Sequence, residues 1–293
     1  MDTYLCRNDL KKRLTETIIE SWLFVAAMIS IFAVGAILFF LIYFSWPIFH
    51  EDQFWKIFSW HWRPFQGEFG ILPMVVGSVC LGFSSMILAY PMGVGVCFCA
   101  HGLGPRWLSG LTMAIVRVMT SVPTVVYGFV SAFLLIPALR ELFHHGSGFS
   151  WLAATLTLSL LVLPTVALVI NPQFELFDPE IKLATTALGF SPIKLLIWVV
   201  IPASYKGLLA AAILGFGRAV GDTIISLMVS GNSPQIPHSM LDSIRTLTAH
   251  IALVVSTEAG SPAYNSLFAA GIMLFGVSAL VNGGLRFIRA GSQ

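Results

Sequence analysis

Two ionisable side chains stand four residues apart inside an apolar stretch of the sequence, LLAAAILGFGRAVGDTIISLMVS. They are Arg218 and Asp222, and on a helix this spacing places both on one face, where they can pair. A charged side chain within a membrane costs at least about 2.5 to 3.5 kcal/mol, so such residues usually face a substrate or ion pathway. A guanidinium can hold two oxygens of an oxyanion at once. The pattern therefore favours an anion pathway. The alternative is a structural ion pair, which the G-x-x-x-G spacing of Gly217 and Gly221 would support.

A charged segment interrupted by prolines precedes this stretch and forms a second candidate site. Residues 182–188 and 193–201 favour helix, but each is too short to be stable alone, so we expect two helical pieces hinged at Gly189. Glycine adopts positive φ angles without steric cost, which suits it to such a hinge. A hinged pair of short helices requires a partner surface, and the segment therefore predicts a docking loop.

The composition is that of a membrane protein. Of 293 residues, 57% are hydrophobic and 10% are charged, and the mean hydropathy is +0.85. The net charge of +2 and the scattered lysines and arginines argue against nucleic acid as a partner. The four cysteines have no metal-binding spacing, and the sequence contains neither a catalytic side-chain set nor a P-loop. We therefore expect no catalytic residues, no metal site and no cofactor in this chain, and any ATP must be bound by a separate subunit.

Six apolar runs long enough to span a bilayer predict an all-α, polytopic membrane protein. We expect the fifth run to form one helix that carries Arg218 and Asp222 near its centre. Prolines within the second and third runs free backbone carbonyls that need partners, so these helices belong in a bundle. The runs are residues 21–49, 71–100, 111–139 and 149–170, a fifth run that follows Gly207, and residues 265–285.

The basic residues of the connecting segments indicate the orientation. With the N-terminus inside, ten lysines and arginines fall on the cytoplasmic side and four on the outer side, so we expect both termini in the cytoplasm. This divides the chain into a cytoplasmic segment, 1–20, a first transmembrane helix with an outer interfacial stretch, 21–69, and a transmembrane domain, 70–288. The docking loop, residues 171–206, then lies in the cytoplasm.

The docking loop resembles the coupling loop of ABC importer permeases, in which Glu-Ala-Ala is followed after three residues by Gly and then, at a set distance, by Leu-Pro. Ala184 and Gly189 stand at matching positions, and the frame continues to Pro202. Leu183 replaces the Glu of the family, and Thr185 replaces the second Ala. The resemblance implies that Ala184, Gly189 and Pro202 couple this chain to an ATPase subunit.

Two further motifs resemble those of phosphate-specific, Pst-type ABC importer permeases. The sequence GRAVGDT at 217–223 is similar to a GRAxGET signature, with Asp222 in place of Glu, and SVPTVVYGF at 121–129 is similar to SVPSVVYGF. The resemblance implies a type I importer permease with six transmembrane helices, in which Arg218, Asp222 and Thr223 line the substrate pathway.

The same resemblance implies partners and a location. An importer of this kind works with a dimer of ATP-binding subunits, a second related permease, an extracytoplasmic phosphate-binding protein and membrane lipid, in a bacterial inner membrane. The chain itself is then not an enzyme. The alternatives are a permease for sulfate or molybdate, and an ion-coupled secondary carrier in which Arg218 and Asp222 relay ions. The hinged docking loop favours the importer, since a carrier has no need of an ATPase contact.

Overall fold

The computed structural model describes residues 2–50, 57–103, 106–144, 146–175, 183, 185, 187–258 and 260–290, and these are mostly helical. The α-helices are α1 (Asp2–His50), α2 (Leu72–Phe98), α3 (Arg106–Ser121), α4 (Thr124–Val130), α5 (Ile136–Phe143), α6 (Trp151–Glu175), α7 (Pro192–Leu195), α8 (Ile201–Ala203), α9 (Tyr205–Gly221), α10 (Ile224–Val229), α11 (Leu247–Val254) and α12 (Pro262–Ala290). Single π-helical turns follow α2, α4 and α7, at Cys99–Leu103, Ser131–Leu135 and Leu196–Val200. A two-stranded antiparallel hairpin, β1 (Trp62–Arg63) and β2 (Glu68–Phe69), precedes α2.

The predicted all-α, polytopic architecture is confirmed. Within the described residues, five helical segments are long and apolar enough to cross a membrane, and a sixth is formed if one bent pair of segments counts as one span. In that pair the chain bends by 75° between Ile193–Ala203 and Tyr205–Gly221. The five other segments are Glu16–Trp46, Leu72–His101, Thr124–Phe143, Trp151–Glu175 and Pro262–Val281.

The third predicted run, 111–139, is not one helix. Helix α3 ends at Ser121 and α4 begins at Thr124, with Pro123 between them at φ −59° and ψ 142°. Proline lacks the N–H that would continue the helix and disfavours helical geometry in the residue before it. The break divides this run into an amphipathic helix and a membrane-spanning segment.

The fifth predicted helix is also interrupted. Helix α9 ends at Gly221 and α10 begins at Ile224, so Asp222 and Thr223 form a break rather than part of one helix. The expectation of a continuous helix that carries both Arg218 and Asp222 is therefore wrong.

Helix α6 occupies the centre of the bundle and packs against α2 and α9. Its side chains Val162, Val166 and Ala167 are buried. Two glycines bring the neighbouring helices close, because a Cβ on Gly93 of α2 would lie 2.8 Å from Val166 and one on Gly215 of α9 would lie 2.9 Å from it. Close packing at Val166 thus sets the distance between the helices that bear the site.

Helix α1 contacts α12 near its C-terminal end. The rings of Phe44 and Phe268 stack at 4.9 Å, and Leu41 lies against Gly271. Residues 16–35 of α1 are exposed and largely apolar. A helix with this composition and exposure faces lipid or another subunit.

Candidate functional site

A cavity of about 250 Å³ lies where α3, α6 and α9 meet. Each of these helices contributes a polar side chain to it, namely Thr120, Thr165 and Arg218. A larger groove of about 500 Å³ between α2, α9 and α12 is lined by apolar residues and glycine, so it offers no side-chain group to a polar solute. The remaining walls of the smaller cavity are Met119, Val122, Leu161 and Pro164.

Arg218 lies in the last turn of α9, and its side chain is exposed at this cavity. Within the described residues, its guanidinium has neither a hydrogen bond nor an ion pair. A charged group at membrane depth without a partner must face water or a ligand. The cavity therefore holds a cation whose two outer nitrogens can meet two oxygens of an anion.

Asp222 has a different role from the one that its spacing predicts. Its backbone is extended, with φ −75° and ψ 124°, and its carboxylate Oδ1 accepts a hydrogen bond of 2.8 Å from the N–H of Ile225. This bond satisfies one of the free N–H groups at the start of α10. The expectation that Arg218 and Asp222 share a helical face and pair there is wrong, because the short Asp side chain bonds the local backbone instead. The charges of the two residues still interact through space.

The break at Asp222 is bonded to a distant part of the chain. Its backbone carbonyl accepts hydrogen bonds of 3.0 Å from Ser226 Oγ and from Thr248 Oγ1. Thr248 belongs to α11 and lies 26 residues after Asp222 in the sequence. Thr223, the other residue of the break, is half-buried and makes no capping bond through its side chain. The break at Asp222 and Thr223 is therefore coupled to α11.

The break at Pro123 lies beside the same cavity. Tyr127 donates a hydrogen bond of 3.0 Å from its hydroxyl to the carbonyl of Met119, and so spans the break. Behind it, a Cβ on Gly128 would lie 2.8 Å from the sulfur of Met228 in α10. The two interrupted helices are thus in direct contact, and the SVPTVVYGF and GRAVGDT motifs meet around one site.

The docking loop is described only in part, and Ala184 lies outside the described residues. Gly189 has a φ of +77°, as expected for a hinge, and a Cβ there would meet no atom within 4 Å. Pro202 is exposed in the short helix α8, just before the chain bends into α9. Leu188 and Trp198 are 75% and 72% exposed. Large apolar side chains at this exposure suit a surface that a partner covers.

The sequence identified the cation of the cavity but not its surroundings. Leu161, Pro164 and Thr165 of α6 carry no pattern that marks them as cavity walls, because any apolar membrane helix contains such residues. Thr248 lies in RTLTAHIA, which no sequence spacing links to Asp222, and its contact arises from the folding back of α11.

Comparison with known proteins places the chain among transport proteins. Residues 97–290 match the family described as "Binding-protein-dependent transport system inner membrane component". The "Probable ABC transporter permease protein YqgH" of Bacillus subtilis is 30% identical over 225 residues, which cover 76% of this chain and 73% of that protein. The "Phosphate transport system permease protein PstC" of Haemophilus influenzae is 25% identical over 274 residues, or 87% of each chain.

Solved structures show the same fold at lower identity. An alginate ABC transporter chain aligns with a TM-score of 0.60 at 13% identity, covering 96% of this chain and 100% of its own length. A chain of the MetNI methionine ABC transporter aligns with a TM-score of 0.54 at 18% identity, covering 75% of this chain and 94% of its own. At these identities the likeness concerns the arrangement of helices and not the substrate.

Proposed function

Because the chain belongs to the family of binding-protein-dependent transport system inner membrane components, we propose that it is the permease subunit of an ATP-driven phosphate importer. The main evidence that the substrate is an anion is the unpaired guanidinium of Arg218, which lies in a polar cavity between two broken helices. Phosphate is favoured among oxyanions because relatives that match most of the chain are named phosphate transport permeases.

The substrate pathway in this proposal passes Arg218, with Asp222 and Thr223 at the adjacent break. Arg218 meets the anion with two N–H groups, and the nearby charge of Asp222 keeps the attraction weak enough for release. Transport then depends on the cation and on the local backbone that Asp222 holds in place.

The partners in this proposal are a dimer of ATP-binding subunits, a second related permease and an extracytoplasmic phosphate-binding protein, within membrane lipid. ATP is bound by the partner subunits. Ala184, Gly189 and Pro202, with the exposed apolar side chains around the hinge, form the contact with the ATPase. The chain lies in a bacterial inner membrane with both termini in the cytoplasm.

The substrate pathway is tested by Arg218→Gln in the assembled complex, reconstituted with ATP and phosphate-loaded binding protein. We expect phosphate uptake to be lost while the complex still assembles, and Arg218→Lys to restore it in part because only the bidentate geometry is missing. Arg140→Gln, an exposed arginine on α5, is the matched control and should transport normally. Normal uptake by Arg218→Gln would refute the pathway. Uptake by the unaltered complex without ATP would instead indicate an ion-coupled carrier.

The coupling role is tested by Gly189→Val. Valine is strained at φ +77°, so we expect the hinge to distort and ATPase association to weaken. Gly146→Val is a matched control, because Gly146 has φ +76° and open space around it but lies in another loop. Equal loss in both variants would show general backbone damage, and no loss in Gly189→Val would exclude the hinge as a contact.

The orientation is tested by single cysteines in a background without native cysteines. We expect cysteines at Gln66 and Glu258 to react with an impermeant reagent from outside, and a cysteine at Ser191 to react from the cytoplasm. All three positions are exposed in the structure. The reverse pattern would invert the proposed topology.

A further inference from the structure

The loop between α10 and α11, residues 230–246, is folded tightly back on itself. Ile244 donates from its N–H to the carbonyl of Ser230 at 3.0 Å, and Ser230 Oγ donates to the carbonyl of Ile244 at 2.8 Å. Gly231 and Asn232 both have positive φ, at +81° and +57°. A non-glycine residue in this conformation persists where surrounding contacts hold it, and such positions concentrate at functional sites. The loop therefore presents its side chains in set positions.

Arg245 is the arginine whose side chain this loop holds in place. It is half-buried, and its Nε donates a hydrogen bond of 2.8 Å to the carbonyl of Asn232. Among the described residues, neither outer nitrogen of its guanidinium has a hydrogen bond or an ion pair. Asp242, the acid nearest to it in sequence, is already engaged, because its Oδ2 accepts from the N–H groups of His238 and Ser239 at 2.8 Å.

A half-buried guanidinium whose outer nitrogens have no protein partner among the described residues is unusual. Burial lowers the pKa of Arg245, but an arginine remains protonated in proteins, so the charge persists. Asn232 Oδ1 is also buried, without a hydrogen-bond partner among the described residues. A partly desolvated cation is costly unless a ligand supplies contacts to its guanidinium.

A short hydrogen-bonded path leads from Arg245 to the break at Asp222. Thr246, the next residue, caps the N-terminus of α11, and its Oγ1 lies 3.0 Å from Thr248 Oγ1. Thr248 Oγ1 in turn donates to the carbonyl of Asp222 at 3.0 Å. Arg218 is four residues before Asp222, on the last turn of α9. The loop with Arg245 is thus linked through Thr248 of α11 to the break beside the candidate pathway.

We propose that Arg245 is a second anion-binding residue, at the outer end of the bundle, which receives the oxyanion before it reaches Arg218. The outer N–H groups of its guanidinium match two oxygens of a phosphate. This inference rests on the proposed function, which supplies the substrate and the orientation. The alternative is that Arg245 only fastens the loop through Asn232.

Arginine-specific labelling tests binding in the unaltered complex. Phenylglyoxal adducts are mapped by mass spectrometry with inorganic phosphate or with chloride at equal ionic strength. We expect phosphate to protect Arg245 and Arg218, whereas Arg63 and Arg140, both exposed, remain reactive as internal controls. Protection of Arg218 without protection of a reactive Arg245 overturns the inference and leaves the proposed function intact. Protection of neither argues against both.

A kinetic test decides the question if the reagent does not reach Arg245. In the assembled complex with saturating phosphate-loaded binding protein, Arg245→Gln should lower the uptake rate about 10- to 100-fold, as for loss of a charged hydrogen-bonding partner. Arg245→Lys, which keeps the charge but not the fork, should lower it less. Arg63→Gln should leave it unchanged. Normal uptake by Arg245→Gln, or a fall that matches a fall in assembled complex, overturns the inference.

Discussion

The two helix breaks beside the cavity are built in different ways. Between α3 and α4 the break is made by Pro123 and spanned by a bond within the same segment, from Tyr127 to Met119. Between α9 and α10 no proline is present, and Asp222 makes the break by bonding Ile225. The carbonyl of Asp222 at this second break is bonded both by Ser226, from the same segment, and by Thr248, from another helix.

This difference indicates which break can transmit movement. A break bonded within its own segment keeps its geometry when neighbouring helices shift. A break bonded to α11 changes when α11 is displaced, because the carbonyl of Asp222 then loses a partner. We therefore expect changes at the second break to affect transport strongly and changes at the first to affect it little.

The largest effect is expected for Asp222→Ala, which removes both the bond to Ile225 and the charge beside Arg218. Loss of an acceptor at a helix start costs about 0.5 to 2 kcal/mol, so the apparent Tm should fall and phosphate uptake should almost disappear. Asp222→Asn keeps an acceptor and removes the charge, so it should preserve the Tm and lose uptake. Normal uptake in Asp222→Asn would show that the charge has no part in transport.

The next effect is the pH dependence of stability, and it involves α11, the helix whose Thr248 bonds the second break. His250 of α11 is fully buried against Trp62 of the hairpin, with 4.4 Å between the rings. Burial, and to a lesser degree the charge of Arg245, lowers the pKa of His250 to about 3. As the pH falls below 6.5, His250 takes up a proton in the unfolded chain but stays neutral in the folded chain until about pH 3. The free energy of unfolding should therefore fall by about 1.4 kcal/mol per pH unit over this range.

Thermal unfolding of the purified complex between pH 7.5 and pH 5 measures this effect. His250→Leu should flatten the decline of the apparent Tm with falling pH, because the titrating group is gone. His61→Leu, at an exposed histidine, should leave the slope unchanged. An identical slope in His250→Leu and the unaltered protein would show that this histidine is not the group responsible.

A smaller effect is expected for Thr248→Val, which removes the bond to the Asp222 carbonyl and the bond to the Thr246 hydroxyl. The cost should be about 1 kcal/mol in stability, with uptake reduced several-fold because the break loses its tie to α11. Thr257, just beyond α11, donates a comparable hydroxyl bond to the carbonyl of Val254, and Thr257→Val should leave uptake normal. Equal uptake in the two variants would remove the distinction between the breaks.

The smallest effect is expected for Tyr127→Phe at the first break. The hydroxyl bond to Met119 is lost, but Pro123 still prevents a continuous helix. The stability should change by at most about 1 kcal/mol, and uptake should stay within twofold of normal. A loss of uptake as large as that of Thr248→Val would show that both breaks move in transport.

Several features could be predicted from the sequence because they depend on local composition. Apolar runs of sufficient length indicate membrane helices wherever they occur, and an arginine in such a run is exceptional enough to mark Arg218. The left-handed backbone of Gly189 followed from a glycine between two short helical pieces. The all-α fold and the site's central cation therefore required no tertiary information.

The tertiary structure decided how that cation is surrounded. A carboxylate four residues from an arginine can pair with it or bond the backbone three residues ahead, and spacing alone does not distinguish these outcomes. In the structure the carboxylate of Asp222 bonds Ile225, and the carbonyl of Asp222 is bonded by Thr248, which lies 26 residues away in sequence. The cavity walls and the position of Arg245 likewise depend on contacts between segments distant in sequence. Such contacts form only when the chain packs, because the groups that make them are far apart in sequence and no local sequence pattern shows that they will meet.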